Sequence, residues 1–300
     1  MRDSERATAA FVAQRNLLFT VAYEMLGSAA DAEDVLQETW LQWATVDLGE
    51  VRDERAFLAT ITTRQAIRRL RVLGRRRESY VGPWLPEPLL TAPDIAEDIA
   101  LADSVSLAML LVLETLAPVE RAVFVLREVF DLAYDEIAAA VDKSPVAVRQ
   151  IAHRARVHVA ARRPRGVASP DQTRAALRAF QRAVDTGDLQ GLLDLLAPDV
   201  VFLGDGGGVK QALLRPVVGA DRVARVLAGG SAWLGGTTSV APAQINGRPA
   251  LIVRLDGEID GVVALRIDDS LITGLYFVRN PAKLTNVHRE RPLDRHGARR

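Results

Sequence analysis

The sequence from Asp131 to Arg156, DLAYDEIAAAVDKSPVAVRQIAHRAR, restricts the fold more than any other stretch of the chain. Its apolar residues recur at intervals of three and four up to Val141, which predicts a short amphipathic helix. Ser144 followed by Pro145 is typical of a helix start, because serine caps the first backbone N–H groups and proline has no N–H to leave unpaired. A second amphipathic helix follows this turn. The sequence therefore predicts a helix-turn-helix.

The second helix of this motif is predicted to expose a basic face. Its apolar residues share one side, and a rotation of about 100° per residue places the polar residues opposite. Arginine and glutamine can make paired hydrogen bonds to guanine and adenine, so this face suits a recognition helix. An ordinary surface helical hairpin is the alternative, and it does not account for the positive charge. The residues predicted to contact DNA are Lys143, Ser144, Val146, Arg149, Gln150, His153, Arg154 and Arg156.

The rest of the first half is also predicted to be helical. Apolar residues with helical spacing continue to Met25, a second helix runs through Trp43, and a third begins near Arg55. The stretch RESYVGPWLPEPLLTAPD contains four prolines and cannot continue that helix, so it is predicted to be a linker. Helices resume from Leu101 to about Arg163, with breaks at Ala117-Pro118, Phe130-Asp131 and Asp142–Ser144.

The pattern changes after a second linker at PRGVASP. Two helices come first, and strand-like runs follow. The runs are Val200–Leu203, Leu251–Leu255, Val262–Ile267 and Leu271–Val278, with Asn246-Gly247 as a hairpin turn. Helices followed by antiparallel strands indicate an α+β fold.

Composition excludes several classes of function. The chain has 300 residues and no cysteine, which rules out disulfides, thiolate metal sites and cysteine nucleophiles. The net charge is zero, but basic residues cluster at Arg64–Arg77 and Arg149–Arg165, away from the acidic run Asp31–Glu38. Local patches of this kind can bind a polyanion despite a neutral total. Without a signal-peptide pattern or a long apolar run, a cytoplasmic location and no membrane partner are expected.

Several separated motifs resemble one family, the extracytoplasmic-function sigma factors. DAEDVLQETWLQWA resembles region 2.2, with which that family grips the clamp of the RNA polymerase β′ subunit. AFLATITTRQAIRRLR resembles regions 2.3 and 2.4, which melt and read the −10 promoter element. LAPVERAVFVLREVFDLAYDEIAAAV and the helix after it resemble region 4, which reads the −35 element. The resemblance implies an alternative sigma factor that binds the RNA polymerase core, through the β′ clamp and the β flap, and promoter DNA.

The resemblance also places two groups of contact residues in region 2. Acidic residues beside apolar ones suit the rim of a docking surface, although acidic residues near a helix start also simply favour the helix dipole. Basic residues suit an unpaired DNA strand. The residues expected to bind core polymerase are Asp31, Asp34, Val35, Gln37, Glu38 and Trp40. Those expected at the −10 element are Arg55, Arg64, Arg68, Arg69 and Arg71.

The C-terminal part is similar to the SnoaL-like, NTF2-like cone fold found in a SigJ-like subgroup of these sigma factors. The subgroup's motifs are present as WLPEP, DGGGVK and NPAKL, with Val209 inserted before Lys210 and Ala282 where the subgroup usually has aspartate. We expect the glycine loop to be an intramolecular regulatory contact, and a plain turn is the alternative. The residues expected in regulatory contacts are Trp84, Pro86, Glu87, Asp205, Gly206, Gly207, Gly208, Lys210, Asn280, Pro281 and Lys283.

Other functions are less well supported. A phosphate-binding loop requires serine or threonine after its lysine, and this chain has Gln211. An acid–base site of Asp199, Asp205 or Asp221 with Tyr276 would resemble ketosteroid isomerase, but surface aspartates and a core tyrosine are the simpler interpretation. A ligand-sensing helix-turn-helix regulator that never binds polymerase is a further alternative. No catalytic residue, cofactor or metal is predicted, and a small ligand or an anti-sigma protein stays open as a partner.

The predicted fold is therefore multidomain. Two all-α sigma domains, a region 2 three-helix unit and a region 4 helix-turn-helix, precede an α+β NTF2/SnoaL-like cone domain. The predicted boundaries are 1–78 for region 2, 79–102 for the linker with WLPEP, 103–163 for region 4, 164–171 for a second linker, 172–288 for the cone domain and 289–300 for a flexible tail.

Overall fold

A computed structural model describes residues 2–92, 98–162, 168–229 and 236–296. The chain forms two compact units. The helical unit contains Met1–Glu78, Val112–Arg163 and Pro292–Arg300, and the sheet unit contains Ser79–Leu111 and Pro164–Arg291. Among the described residues, no helix combines the length and the apolar character needed to span a bilayer.

The first half of the helical unit is a three-helix bundle. Its helices are α1 (Arg2–Leu26), α2 (Ala29–Trp43) and α3 (Glu54–Arg77). The Ser28 side chain caps α2 by accepting a hydrogen bond from the Asp31 backbone N–H at 3.2 Å. Trp43 is fully buried, and its indole N–H donates to the Ala7 carbonyl at 2.9 Å. These helices occupy the positions that the apolar spacing predicts.

The second half of the helical unit contains the helix-turn-helix. Helix α6 (Pro118–Phe124) continues as a π-helical turn (Val125–Val129), and α7 (Tyr134–Val141) and α8 (Pro145–Ala160) follow. All three predicted helix breaks are present. Asp142 ends α7 in the left-handed conformation at φ 55°, and the Ser144 side chain accepts from the Ala147 N–H at 3.2 Å to start α8.

Two short helices lie just upstream of α6. They are α4 (Ile99–Ser104) and α5 (Leu107–Leu113). The sequence pattern does not predict the break between them. It is stabilised by Ser106, whose hydroxyl accepts from the Met109 N–H at 3.2 Å and donates to the Asp103 carbonyl at 2.8 Å.

The sheet unit is an α+β fold. One six-stranded sheet has the order β2-β1-β6-β5-β4-β3, in which β1 and β6 are parallel and the other neighbours antiparallel. The strands are β1 (Leu196–Asp205), β2 (Val217–Val218), β3 (Thr238–Ile245), β4 (Arg248–Leu255), β5 (Glu258–Asp268) and β6 (Leu271–Val278). The helices are α9 (Pro170–Thr186), α10 (Leu189–Leu195) and α11 (Ala220–Ala228).

Most of this unit follows the sequence pattern. The four predicted strands are present, and Asn246-Gly247 forms the predicted hairpin turn with φ of 53° and 68°. Three elements are missed: β2, β3 and α11. Strand β3, TSVAPAQI, lies at the edge of the sheet and is mostly exposed, so its small residues and its proline show no alternation of apolar and polar types.

The two faces of the sheet bury different parts of the chain. One face packs against α9, α10 and α11, through residues such as Phe180, Leu192 and Val223. The other face packs against Leu85 and Leu107, which precede the sheet by about a hundred residues in the chain. The stretch predicted to be a linker, 79–102, thus supplies core residues to the sheet unit, although its residues 93–97 lie outside the described part.

Whether the predicted segments fold as separate domains stays a prediction. Of the second linker, 164–171, residues 164–167 lie outside the described part, and α9 already starts at Pro170. Residues 289–296, predicted to belong to a flexible tail, make defined contacts in the structure. The Arg291 N–H donates to the Leu90 carbonyl at 2.8 Å, the Asp294 N–H donates to the Thr20 hydroxyl at 2.9 Å, and Leu293 is buried. Residues 297–300 are not described.

Candidate functional site

Helix α8 presents the face predicted to contact the −35 element. Val148, Ile151, Ala152, Ala155 and Val159 are buried against the rest of region 4. The predicted contact residues Lys143, Ser144, Val146, Arg149, Gln150, His153, Arg154 and Arg156 are all exposed. One side of the helix is therefore held by the apolar core, which leaves the basic side accessible to DNA.

The arginines of this face have different surroundings. Arg149 lies over the ring of Tyr134, 5.5 Å from its centre. Arg154 and Arg156 lie 3.9 and 3.6 Å from the carboxylates of Glu120 and Glu128. Ion pairs at these exposed positions are weak, so they orient the side chains without blocking contact with phosphate.

The acidic and basic residues predicted in region 2 meet in one ion-pair cluster. Arg69 on α3 reaches Asp31 at 2.6 Å and Asp34 at 2.7 Å, both on α2. Burial alone would lower the pKa of Arg69, but its hydrogen bond to Asp31 and the charges of Asp31, Asp34 and Glu38 raise it. The predicted polymerase surface and the predicted DNA surface are thus adjacent, and Arg69 is half-buried between them. Arg55, Arg64, Arg68 and Arg71 are exposed.

One residue of the predicted polymerase surface is misplaced. Val35 is only 1% exposed and packs inside the three-helix bundle, so it cannot contact another protein while region 2 is folded. The apolar pattern of α2 does not show which apolar residues face outward. Gln37 and Glu38 are exposed, and the half-buried Trp40 lies 5.3 Å from the ring of Phe11.

Regions 2 and 4 pack against each other within the helical unit. Helix α3 packs on α7, where the Arg64 guanidinium donates to the Ala139 carbonyl at 2.7 Å. Arg121 on α6 is 1% exposed and donates to the Glu24 carbonyl on α1 at 3.0 and 2.8 Å. It also pairs with Glu114. Burial lowers the pKa of Arg121, because desolvation disfavours the cation, and the charge of Glu24 partly offsets this. The sequence reading missed both Arg121 and Glu24.

Asp205 is the centre of a buried cluster in the sheet unit. It is fully buried at the end of β1, and one carboxylate oxygen accepts from the Tyr80 hydroxyl at 2.6 Å. The other oxygen accepts from the Leu85 N–H at 2.9 Å and the Lys283 ammonium at 2.7 Å. Asn280 donates to the Tyr80 hydroxyl at 2.7 Å. The three motifs WLPEP, DGGGVK and NPAKL therefore meet at one carboxylate, and we call these residues the Asp205 cluster.

The aromatic residues around this carboxylate complete the cluster. The Lys283 ammonium lies 4.2 Å from the ring centre of Trp84 and 4.8 Å from that of Tyr80. Burial raises the pKa of Tyr80, and its hydrogen bond to Asp205 and the nearby carboxylate charge raise it further. Nearby, Asn286 donates to the buried Glu87 at 2.6 Å. Pro86 is buried, and Pro281 is exposed in a short 3₁₀ turn. Tyr80 and Asn286 are members that the motifs alone do not reveal.

The glycine loop is confined by its neighbours. Gly207 has φ 61°, and a β-carbon there would lie 2.3 Å from the amide nitrogen of Asn280. A β-carbon on Gly206 would lie 2.1 Å from the Lys210 carbonyl. Gly208, with φ 73°, faces Val81. Close approach to the cluster, as well as positive φ, thus requires glycine in this loop.

The structure shows which residues contact Lys210 and Ala282, where the chain departs from the subgroup's motifs. Lys210, displaced by Val209, pairs with the buried Asp260 at 3.1 Å, and Asp260 also pairs with Arg279 at 2.8 Å. Although burial alone would raise the pKa of Asp260, these two cations lower it. Ala282 donates its backbone N–H to the Asn280 side chain at 3.1 Å.

The residues considered for acid–base chemistry are not brought together. Tyr276 is buried on the sheet face that packs against Leu85, and Asp205 belongs to the cluster. Asp199 is exposed on β1, and Asp221 lies exposed at the start of α11. The described residues that line the large cavity of this unit include none of these four.

Comparisons with known proteins decide the family. Residues 11–76 match the family described as "Sigma-70 region 2", and residues 106–159 match "Sigma-70, region 4". The chain is 35% identical over 292 residues to "ECF RNA polymerase sigma factor SigJ" of Mycobacterium tuberculosis, covering 92% of each chain. The chain belongs to the extracytoplasmic-function sigma factors. As such, it binds core RNA polymerase and directs transcription initiation at specific promoters.

Two further comparisons, both with sigma factors of M. tuberculosis, extend over nearly the whole chain. The chain is 33% identical over 293 residues to "Probable ECF RNA polymerase sigma factor SigI", covering 97% of this chain and 99% of that one. The crystal structure of SigJ matches with a TM-score of 0.75 at 31% identity, covering 93% of this chain and 98% of SigJ. The predicted order, two helical sigma regions followed by an α+β domain, is confirmed.

Proposed function

We propose that the sheet unit of this sigma factor controls the separation of regions 2 and 4 by holding the segment that joins them. In this proposal α8 reads the −35 element and the exposed arginines of α3 hold the −10 region. Helix α2 docks on the β′ clamp, and region 4 contacts the β flap. The observation that carries the proposal is the Asp205 cluster. It holds Tyr80 and Leu85, which belong to the segment that joins regions 2 and 4 along the chain.

Promoter geometry requires the two regions to move apart. The −35 and −10 elements lie about two helical turns of the duplex apart, which corresponds to on the order of 70 Å along its axis. In the helical unit, by contrast, α3 of region 2 packs directly on α7 of region 4. Arg64, which we expect at DNA phosphates, donates instead to Ala139 of region 4. The packed arrangement therefore suits a resting form, and promoter engagement requires its disruption.

The joining segment sets how far the regions can travel. Between the end of α3 and the start of α5 lie roughly 30 residues, which can span up to about 100 Å when extended. Leu85 and Leu89 in this segment are fully buried in the sheet unit. While those contacts persist, most of that length is unusable. Release of the segment would supply the reach that the promoter requires.

Sequence reading at the −35 element is tested by two arginines of region 4. In holoenzyme formed with core RNA polymerase, Arg149→Ala should cost about 1–3 kcal/mol at one base pair of the element. Arg162→Ala, near the exposed end of α8, should weaken binding to all sequences and reduce the salt slope by about 1. The measurement uses duplexes selected by the unaltered holoenzyme and changed one base pair at a time. An equal loss on every duplex for both variants would contradict base reading by Arg149.

The regulatory role is tested by Gly207→Ala. The added β-carbon would collide with Asn280 and disturb the cluster. We expect run-off transcription with purified core polymerase to rise about fivefold, the factor equivalent to about 1 kcal/mol for one lost hydrogen bond. Hydrogen exchange in 79–91 should become faster.

Gly187→Ala is the matched control for Gly207→Ala. Gly187 has a similar φ of 66°, but a β-carbon there would meet nothing within 4 Å. It therefore carries the same backbone strain without the collision. Equal transcription by the two variants, or a fall in output from a stably folded Gly207→Ala chain, would refute the inhibitory role of the cluster.

A further inference from the structure

A large cavity lies between the sheet and the helices of the sheet unit. Its volume is about 550 Å³, within the range of small-molecule sites. The cavity is partly open to solvent, so a small molecule can enter it. The walls are mainly apolar and include the aromatic rings of Phe180, Phe202 and Phe277 together with Leu251 and Leu275.

The guanidinium of Arg279, which lines the cavity, is already paired with a carboxylate. The Arg279 guanidinium donates to both carboxylate oxygens of Asp260 at 2.8 and 3.1 Å, and also to the Gln211 carbonyl. These bonds use three of the five N–H groups that a guanidinium carries. The paired guanidinium can therefore donate to a ligand oxygen without requiring that the ligand be an anion. Asp185, the carboxylate among the described lining residues, is exposed on α9.

We propose that this cavity binds an uncharged, mainly aromatic or alicyclic molecule that carries one acceptor oxygen, directed at Arg279. The apolar walls exclude strongly hydrated ligands, because their polar groups would lose water without replacement partners. Aromatic walls favour flat rings, which stack or pack edge-on against phenylalanine. The ligand is thus defined by its shape and by one carbonyl, ester or hydroxyl oxygen.

The cavity and the Asp205 cluster share parts of the chain. Gly204 lines the cavity and precedes Asp205, while Arg279 lines it and precedes Asn280. The Asp205 carbonyl accepts from the N–H groups of Arg279 and Asn280 at 2.7 and 2.9 Å. A ligand shifts an equilibrium between two states by the difference in its affinity for them. A ligand that binds the cavity more tightly when the Asp205 cluster is formed therefore stabilises the cluster. Only the effect of this coupling on transcription rests on the proposed function; the binding and the stabilised cluster do not.

The test uses the full chain and the fluorescent ketone prodan, a naphthalene with one carbonyl oxygen. We expect one saturable site per chain, with blue-shifted emission. Val240→Trp fills the cavity from β3 and should weaken binding at least tenfold, whereas Leu189→Trp, exposed on α10, should not change it. The analogue with propyl in place of propionyl should bind about tenfold less tightly, the factor for one hydrogen bond. Circular dichroism and the melting temperature verify that both variants fold.

The outcomes separate the site from its coupling. Absence of saturable binding, or equal binding by the two tryptophan variants, would overturn the cavity site. Equal affinity for the ketone and its propyl analogue would overturn the role of Arg279. Bound prodan should also slow hydrogen exchange in 79–91 in the isolated chain, without polymerase or DNA. Binding with unchanged exchange would overturn the coupling and leave the site, and neither result depends on whether the cluster controls transcription.

Discussion

Asp205→Ala is expected to lower the free energy of unfolding of the sheet unit by about 3–5 kcal/mol, the cost of breaking a buried ion pair. The substitution removes the carboxylate that accepts from Tyr80, Leu85 and Lys283. Lys283, whose side chain is 12% exposed, would keep its charge without this partner. The buried N–H of Leu85 would also lose its acceptor, and a buried donor without an acceptor is costly.

The same substitution should free the joining segment. Urea unfolding followed by intrinsic fluorescence measures the loss of stability, and hydrogen exchange in 79–91 measures release of the segment. Asp199→Ala is the matched control, because Asp199 lies on the same strand but is exposed. A change below about 1 kcal/mol, typical of surface substitutions, together with unchanged exchange, would show that Asp205 does not hold the segment.

The sequence predicts those parts of the molecule that depend on local pattern. The turn at Asp142 and the cap at Ser144 follow from residue preferences over a few positions, and the structure has both. Motif resemblance identified Asp205, Asn280 and Lys283 as one group. It could not supply Tyr80, because nothing local in the sequence relates a tyrosine to a carboxylate 125 residues away.

The sequence pattern does not show which apolar residues of α2 and of the joining segment are buried. The resemblance to region 2.2 implies that Val35 belongs to the polymerase surface, but only the packing of α1 and α3 decides which side of α2 is buried. The prolines of 79–102 exclude a long helix and indicate a joining segment, but they do not show that the segment is buried. Leu85 and Leu89, between those prolines, were the signal that the segment has a packing partner.

The sequence also contains one residue that indicates the contact between regions 2 and 4. Glu24 is the lone charged residue in the run LLFTVAYEML, from Leu17 to Leu26. A carboxylate within an apolar helical run is expected to need a buried partner, because an isolated buried charge is very costly. Arg121, 97 residues further along the chain, donates to the backbone carbonyl of Glu24, and its cation attracts the Glu24 carboxylate. The signal indicates that such a partner exists, but only the fold identifies it.

Arg121→Met is therefore expected to destabilise the contact between regions 2 and 4 by about 3–5 kcal/mol, because it removes a buried cation near the fully buried Glu24 and both hydrogen bonds to the Glu24 carbonyl. Methionine keeps most of the apolar volume, so the loss is mainly electrostatic. When the regions separate, water can reach Glu24, so the variant should favour the separated form by a factor of more than about 100. Hydrogen exchange should rise in 17–26 and in α7, and affinity for promoter DNA in the holoenzyme should increase.

A double variant distinguishes this explanation from simple loss of packing. Glu24→Gln keeps the backbone carbonyl that accepts from Arg121 but removes the buried negative charge. Added to Arg121→Met, it should restore part of the lost stability, since the buried negative charge of Glu24 is then removed together with the cation that attracts it. In the stability measurement, Arg154→Met, at a side chain that is 61% exposed, controls for the loss of one arginine from region 4. If the double variant is less stable than Arg121→Met alone, attraction between Glu24 and Arg121 does not hold the regions together.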